Sequence, residues 1–195
     1  ALHVESDKAV FKNCRFLGYQ DTIFASGEGA RQLYVDCFIE GTTDFIFGPA
    51  TAIFLNCIIN SKSNSYITAA NTPKDQPYGF VFIDCRLKAD SGVTSVFLGR
   101  PWRAFAKTVF IHCEMDKHIN PLGWNNWSDT ANETTVFYAE FQNRGQGSLP
   151  TQRVPWSKQL SELQASKFSI EAIFAGHAQP TTPNMDWFKE YVGKK

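Results

Sequence analysis

Three charged side chains in this sequence are of the types that divide acid and nucleophile work between them: Asp21, Asp44 and Arg100. Asp21 sits in Gln20-Asp21-Thr22, Asp44 opens Asp44-Phe45-Ile46-Phe47-Gly48, and Arg100 lies in Gly99-Arg100-Pro101-Trp102. The planar guanidinium offers a rigid fork of donors that can bind one carboxylate and keep it ionised. A second carboxylate, close to the first and less well compensated, would have its pKa raised and could hold a proton. Two acids with separated pKa values are what general-acid and nucleophile roles need. The amide of Gln20 could donate to a developing oxyanion, and the indole of Trp102 could stack on the apolar face of a sugar ring. The same residues also have ordinary uses. An aspartate at a turn is often a corner residue, an Arg–Asp pair is often structural, and Gly99–Trp102 could be a packed turn. Composition and spacing leave both readings standing.

Whether these side chains can meet depends on the elements that carry them. Five stretches read VFKNCRF, LYVDCFI, IFLNCII, VFIDCRL and VFIHCEM, each with an aromatic residue three positions before a cysteine. The cysteines Cys14, Cys37, Cys57, Cys85 and Cys113 are spaced by 23, 20, 28 and 28 residues. A period of this length signals stacked coils, each burying its apolar face against its neighbours. A sixth copy, VFYAEF at 136–141, is expected to put Ala139 in the cysteine's place. The three-residue offset from aromatic to cysteine breaks strict alternation, so a corner lies between them. Asn13, Asp36, Asn56 and Asp84, with His112 in the fifth coil, suit that corner because Asn and Asp tolerate left-handed backbone. A second strand recurs at 21–25, 44–48, 65–69 and 95–99. Adjacent coils put its outer side chains about 4.8 Å apart, so residues 20 to 80 positions apart can share one patch.

The segments 69–79 and 120–133, rich in Gly, Pro and Asn, read as long loops leaving the solenoid. Beyond Gly145 the rhythm stops. Residues 157–166 are expected to form a short helix capped by Ser157, 168–176 another, and 183–195 an amphipathic turn or two. The expected organisation is one domain over 1–195, with coils to about 145 and a tail over 146–195.

The 195 residues can bury a sizeable core, and their 19 basic and 19 acidic side chains cancel. A nucleic-acid partner recognised by a basic footprint is therefore not supported. No run of 18 apolar residues marks a membrane span, and no signal peptide is visible. An odd number of cysteines in repeated register favours a column of free thiols over a disulfide framework, although one pairing stays open. His3, His112, His118 and His177 have no spacing typical of zinc. Asn126-Trp127-Ser128 and Asn132-Glu133-Thr134 match the glycosylation acceptor pattern.

GYQDTIF at 18–24, DFIFG at 44–48 and LGRPW at 98–102, in this order, resemble three signature segments of the pectin methylesterase (pectinesterase) family. YAEFQNRGQG at 138–147, RVPW at 153–156, FAG at 174–176 and Trp187 extend the resemblance over the whole chain. It implies an all-β, right-handed parallel β-helix with short C-terminal helices. It also implies that Asp44 is the nucleophile on a galacturonate C6 methyl ester and that Asp21 protonates the leaving methanol. Gln20 then donates to the oxyanion, Arg100 holds Asp44, and Trp102 lines the groove. Tyr19, Phe47 and Trp124 are further groove candidates, with ordinary packing as their alternative. The scheme calls for no metal and no other cofactor. Its implied partner is methyl-esterified homogalacturonan, in a secreted or periplasmic setting, with a monomer as the complete form.

The family carries a further oxyanion glutamine in a Gln-Ala-Val-Ala-Leu segment, of which only Ala1-Leu2 stands here. The resemblance therefore implies the C-terminal portion of a larger catalytic domain, partnered by upstream coils, with weak or no activity expected of the 195 residues alone. Two other readings use the same solenoid. Paired carboxylates also serve glycoside hydrolysis, and a carbohydrate-binding solenoid could keep the surface without catalysis. A calcium-dependent lyase would call for more acidic side chains on one face than this sequence offers.

Overall fold

A computed structural model describes residues 1–175 and 186–192. The chain winds as a right-handed parallel β-helix of three sheets. Each of the first five coils gives one strand to each sheet, and the last two turns add strands to the second sheet only. The first sheet stacks Leu2–Val4, Ile23–Ala25, Ile46–Gly48, Tyr66–Ala70 and Phe97–Gly99. The second stacks Ala9–Lys12, Arg31–Val35, Thr51–Leu55, Phe80–Ile83, Lys107–Ile111, Phe137–Phe141 and Lys158–Gln159. The third stacks Arg15–Leu17, Phe38–Gly41, Ile58–Ser61, Arg86–Ala89 and Glu114–Met115.

The corner between the second and third sheets is where the repeat predicts it. Asn13, Asp36, Asn56, Asp84 and His112 all take left-handed backbone, with φ of 55, 53, 53, 54 and 54°. The residue after each corner is the cysteine, and four of the five thiols are buried while Cys14 is half-buried. All five are free. Their hydrogen bonds go to backbone carbonyls, as from Cys57 Sγ to Leu55 O (3.4 Å) and Cys85 Sγ to Phe54 O (3.2 Å). Beside them runs a column of rings, Phe11–Tyr34–Phe54–Phe82–Phe110, with successive centroids 5.0, 4.7, 4.5 and 4.3 Å apart. One aromatic residue per coil, at one register position, makes this column.

The sixth copy departs from its sequence reading. Val109 pairs with Ala139 and Ile111 with Phe141, so Gln142 takes the corner (φ 47°) and Asn143, not Ala139, takes the cysteine's position. Asn143 accepts from Cys113 N (2.8 Å) and donates to Phe110 O (3.3 Å). Glu140 replaces the ring of the earlier coils, and its buried carboxylate receives Arg153 through Nε (2.8 Å) and Nη2 (3.1 Å). A carboxylate can sit inside the solenoid only because this fork neutralises it.

The tail also differs from expectation. Lys158–Gln159 adds a last strand beside Ala139 and Glu140, so the helix begins later, at Glu162–Ala165. Its cap is Ser161, not Ser157: Ser161 Oγ accepts from Gln164 N and the Gln164 side chain returns to Ser161 N. The strand is favoured because Leu160 N reaches Glu140 O at 2.9 Å, continuing the parallel ladder. A second helix, Ile170–Ala175, buries Ile173 and Phe174 against Leu33, Ile53 and Val81 on the outer face of the second sheet. Residues 186–192 form turns, with Trp187 and Phe188 on Phe174. Gly176, His177 and the remaining positions of the expected last turn lie outside the described residues. Among the described residues no helix is long and apolar enough to cross a membrane.

Candidate active site

Asp21 and Asp44 occupy one register position on successive coils, just ahead of first-sheet strands. Ile23 pairs with Ile46 and Ile46 with Thr68, which aligns Asp21, Asp44 and Tyr66 in a row. Both aspartates have left-handed backbone, φ 57° and 49°, which aspartate adopts more readily than most side chains. The bend turns each carboxyl outward while the backbone stays in the coil-to-coil ladder. Asp21 N donates to Thr43 O (3.2 Å) and Asp44 N to Tyr66 O (2.8 Å).

The two carboxylates differ in what faces them. Asp44 is only 5% exposed, and Arg100 holds it in a bidentate fork, Nε to Oδ1 at 3.0 Å and Nη2 to Oδ2 at 2.7 Å. Arg100 follows the strand two coils on, where its own N donates to Thr68 O (3.0 Å). Asp21 is exposed and has no ion-pair partner among the described residues. Partial burial, and then the like charge of Asp44, raise its pKa above the usual carboxylate value. One acid is thus clamped and the other is biased toward holding a proton.

A cleft of about 210 Å³ opens between them, lined by Gln20, Asp21, Asp44, Phe47, Ala69, Arg100, Trp102 and Trp127. Of the residues singled out in the sequence, it gathers Gln20, Asp21, Asp44, Phe47, Arg100 and Trp102. Phe47 packs edge-on to Trp102 at 5.9 Å and lies flat against Phe24 at 4.5 Å, with His3 stacked beyond at 4.6 Å. This outward row runs along the solenoid beside the aspartates. Gly48 (φ 126°) closes the strand under Phe47, where a Cβ would come 2.1 Å from Ala25 O of the preceding coil.

Two groove candidates are not there. Trp124 is 1% exposed, stacks on Tyr138 at 4.4 Å and donates from Nε1 to Glu140 Oε1 (3.3 Å), so it belongs to the core. The 120–133 segment passes through the interior before it leaves the solenoid, since Trp124 bridges Gly99. Tyr19 is 70% exposed and lies outside the cleft, with Lys62 Nζ 4.2 Å from its ring. Sequence reasoning missed Trp127, three residues further along the same loop. Its ring lies 3.7 Å from the Arg100 guanidinium. Trp127 and Ser128 both have left-handed φ (61° and 58°), and the turn is tied by Asn125 Oδ1 to Trp127 N, Asn126 Oδ1 to Ser128 N and Asn126 Nδ2 to Glu133 Oε1. The Gly-Trp-Asn-Asn-Trp spacing was the available signal: two tryptophans three apart in a loop cannot both be assumed to face one way. Tyr66, also missed, was hidden by register: SYITA set against DTIFA and DFIFG puts Ser65 in the aspartate's place, whereas the pairing of Ile46 with Thr68 puts Tyr66 there.

A parallel β-helix that carries a clamped and an unclamped carboxylate on one outer face is an arrangement suited to paired acid and nucleophile chemistry. Comparison with known proteins makes this specific: the family described as Pectinesterase matches residues 1–177, and the chain belongs to the pectinesterase family. Pectinesterase 31 of Arabidopsis thaliana is 39% identical over 169 residues, covering 86% of this chain and 53% of that protein. Putative pectinesterase 11 of the same plant is 40% identical, covering 90% and 49%. Among solved structures, the pectin methylesterase from carrot superposes with a TM-score of 0.82 at 33% identity, covering 88% of this chain and 58% of that one. The pectin methylesterase from Yersinia enterocolitica gives 0.78 at 32% identity, covering 89% and 62%. The chain spans about half the length of the curated relatives it matches.

Proposed function

We propose that this chain carries the reacting groups of a carboxylic ester hydrolase that removes methyl groups from the galacturonate esters of pectin. The observation that carries this reading is the pairing of Asp44, locked by Arg100, with Asp21, whose pKa is raised, across one cleft. Asp44 attacks the C6 carbonyl, and the tetrahedral oxyanion that forms accepts a hydrogen bond from the Gln20 amide. Collapse breaks the C6–O bond as Asp21 delivers its proton to the departing methoxide, giving methanol and an acyl-enzyme. Asp21, now a base, takes a proton from water. The hydroxide attacks the acyl carbon, and Asp44 leaves as carboxylate. Trp102 and Phe47 offer apolar faces for the sugar rings beside the ester.

The bidentate fork that orients Asp44, together with a neighbouring Gln20 amide able to donate to an oxyanion, favours acyl transfer over glycoside hydrolysis, whose oxocarbenium-like transition state has no oxyanion to accept that bond. Methyl-esterified homogalacturonan is accordingly the proposed substrate. Relatives titled as pectin methylesterase in complex with hexasaccharides support a groove for several sugars. Because pectin is a wall polymer, we place the chain in a secreted or periplasmic setting. The domain reading, coils followed by a tail that packs on the second sheet, stands as part of the same proposal, with upstream coils as the partner that completes the cleft.

The test is methanol release from methyl-esterified polygalacturonate, by the 195-residue chain and by the same chain placed behind the upstream coils of the carrot relative. Low release by the first and clear release by the second are expected, with Asp44→Asn reducing it by roughly 10⁴-fold or more. New reducing ends without methanol would replace the esterase with a glycosidase. Sugar binding without either product would leave a binding solenoid.

A further inference from the structure

We propose that Tyr66 is a positioning residue, holding Arg100 in the plane from which it orients Asp44; this deepens the esterase reading and rests on it for its kinetic consequence. Tyr66 touches both partners of the ion pair. Its carbonyl accepts the Asp44 N–H at 2.8 Å, and its ring centroid lies 4.0 Å from the Arg100 guanidinium carbon. Trp127 approaches the same carbon at 3.7 Å. The Nε and Nη2 edge is occupied by Asp44, so two rings this close lie against the two faces of a planar group. The faces of a guanidinium are weakly hydrated, and stacking on aromatic rings suits them.

The origin of this contact is the row itself. The position that carries aspartate in two coils carries tyrosine in the third, and phenylalanine in the fourth. Phe97 stacks on Tyr66 at 5.5 Å and 22°, which backs the ring from the next coil. Tyr66 does not line the cleft, whereas Trp127 does. The two rings therefore have separable duties. Trp127 faces both arginine and substrate. The Tyr66 ring acts on the reaction only through Arg100, by confining the fork to one plane and so fixing the direction in which an Asp44 oxygen can attack.

Substitution isolates the ring, because the Tyr66 carbonyl survives it. Tyr66→Leu removes the ring, and Tyr66→Phe retains it without the hydroxyl. Two measurements are made: kcat and KM for methanol release in the form of the protein that turns over, and solvent exchange of the Arg100 Nε–H by ¹⁵N NMR in the 195-residue chain. Tyr66→Leu is expected to lower kcat by about tenfold with little change in KM, to accelerate Nε–H exchange by a similar factor, and to be rescued on both counts by Tyr66→Phe. Unchanged exchange in Tyr66→Leu overturns the proposal. So does a rise in KM with kcat intact, which would make Tyr66 a substrate contact, or a Tyr66→Phe variant as impaired as Tyr66→Leu. If Asp44→Asn leaves activity intact, the esterase reading fails, while the exchange measurement still decides whether the ring holds the arginine. Tyr66→Thr, a second ringless side chain suited to a strand, serves if Tyr66→Leu does not fold.

Discussion

Asp21 and Asp44 are the same residue type at the same register position, yet their surroundings differ. The difference lies in Arg100, which reaches one and not the other. For Asp21 the sign of the pH dependence follows directly. Its folded-state pKa is raised, first by desolvation and then by Asp44, so the native state holds its proton to higher pH than the unfolded chain does. Between the two values the native state binds more protons, and stability falls as pH rises through that window. Asp21→Asn keeps the side chain's shape and tolerates the left-handed backbone, so it should become more stable relative to the parent as pH is raised from about 3 to 7. Denaturant melts of both proteins across that range check this, and parallel curves would show that Asp21 carries no such strain. At this scale the carboxylates, glutamine and arginine were legible because short segments carry them in order. The loop tryptophans Trp124 and Trp127 were not, since the loop's course decides which of them turns inward, and local sequence does not contain that course.

The coil is the next scale, and its repeat was legible wherever one residue type recurs at one register. The left-handed corners, the ring column and the thiols all follow from period and type alone. The reading failed where the pattern changes identity. VFYAEF keeps the rhythm of its predecessors, but pairing slips it so that Glu140 enters the ring column, and only Arg153, beyond the repeat, makes that acceptable. The consequence is measurable. Glu140→Gln leaves a 9%-exposed arginine without its counter-charge, and breaking one side of a buried pair costs about 3–5 kcal/mol. Urea unfolding should show a loss of that order. A loss under about 1 kcal/mol would mean that the carbonyls of Pro121 and Gly147, which Arg153 also reaches, suffice to hold it. The same slip explains the tail. Once Glu140 and Ala139 offer a ladder edge, residues 158–159 become a strand, and the helical pattern of 157–166 yields its first turn to that pairing.

In the whole molecule, stacking converts sequence distance into proximity: Asp44 and Arg100 are 56 residues apart and share two hydrogen bonds. The solenoid as a class was legible from one period, and the cleft from three motifs, because each coil repeats the geometry of the last. The column of unpaired thiols has a practical consequence. Four sulfurs are buried while Cys14, in the first coil, is half-buried, so an alkylating reagent meets a built-in clock of coil opening. Under native conditions iodoacetamide should add a single adduct, at Cys14, and all five should react after denaturation; mass spectrometry of peptides would assign each. Rapid native modification of Cys57 or Cys85 would mean that the turns breathe apart. No oxidant is needed to assemble such a column, so reducing agents should leave the melting behaviour of the chain unchanged.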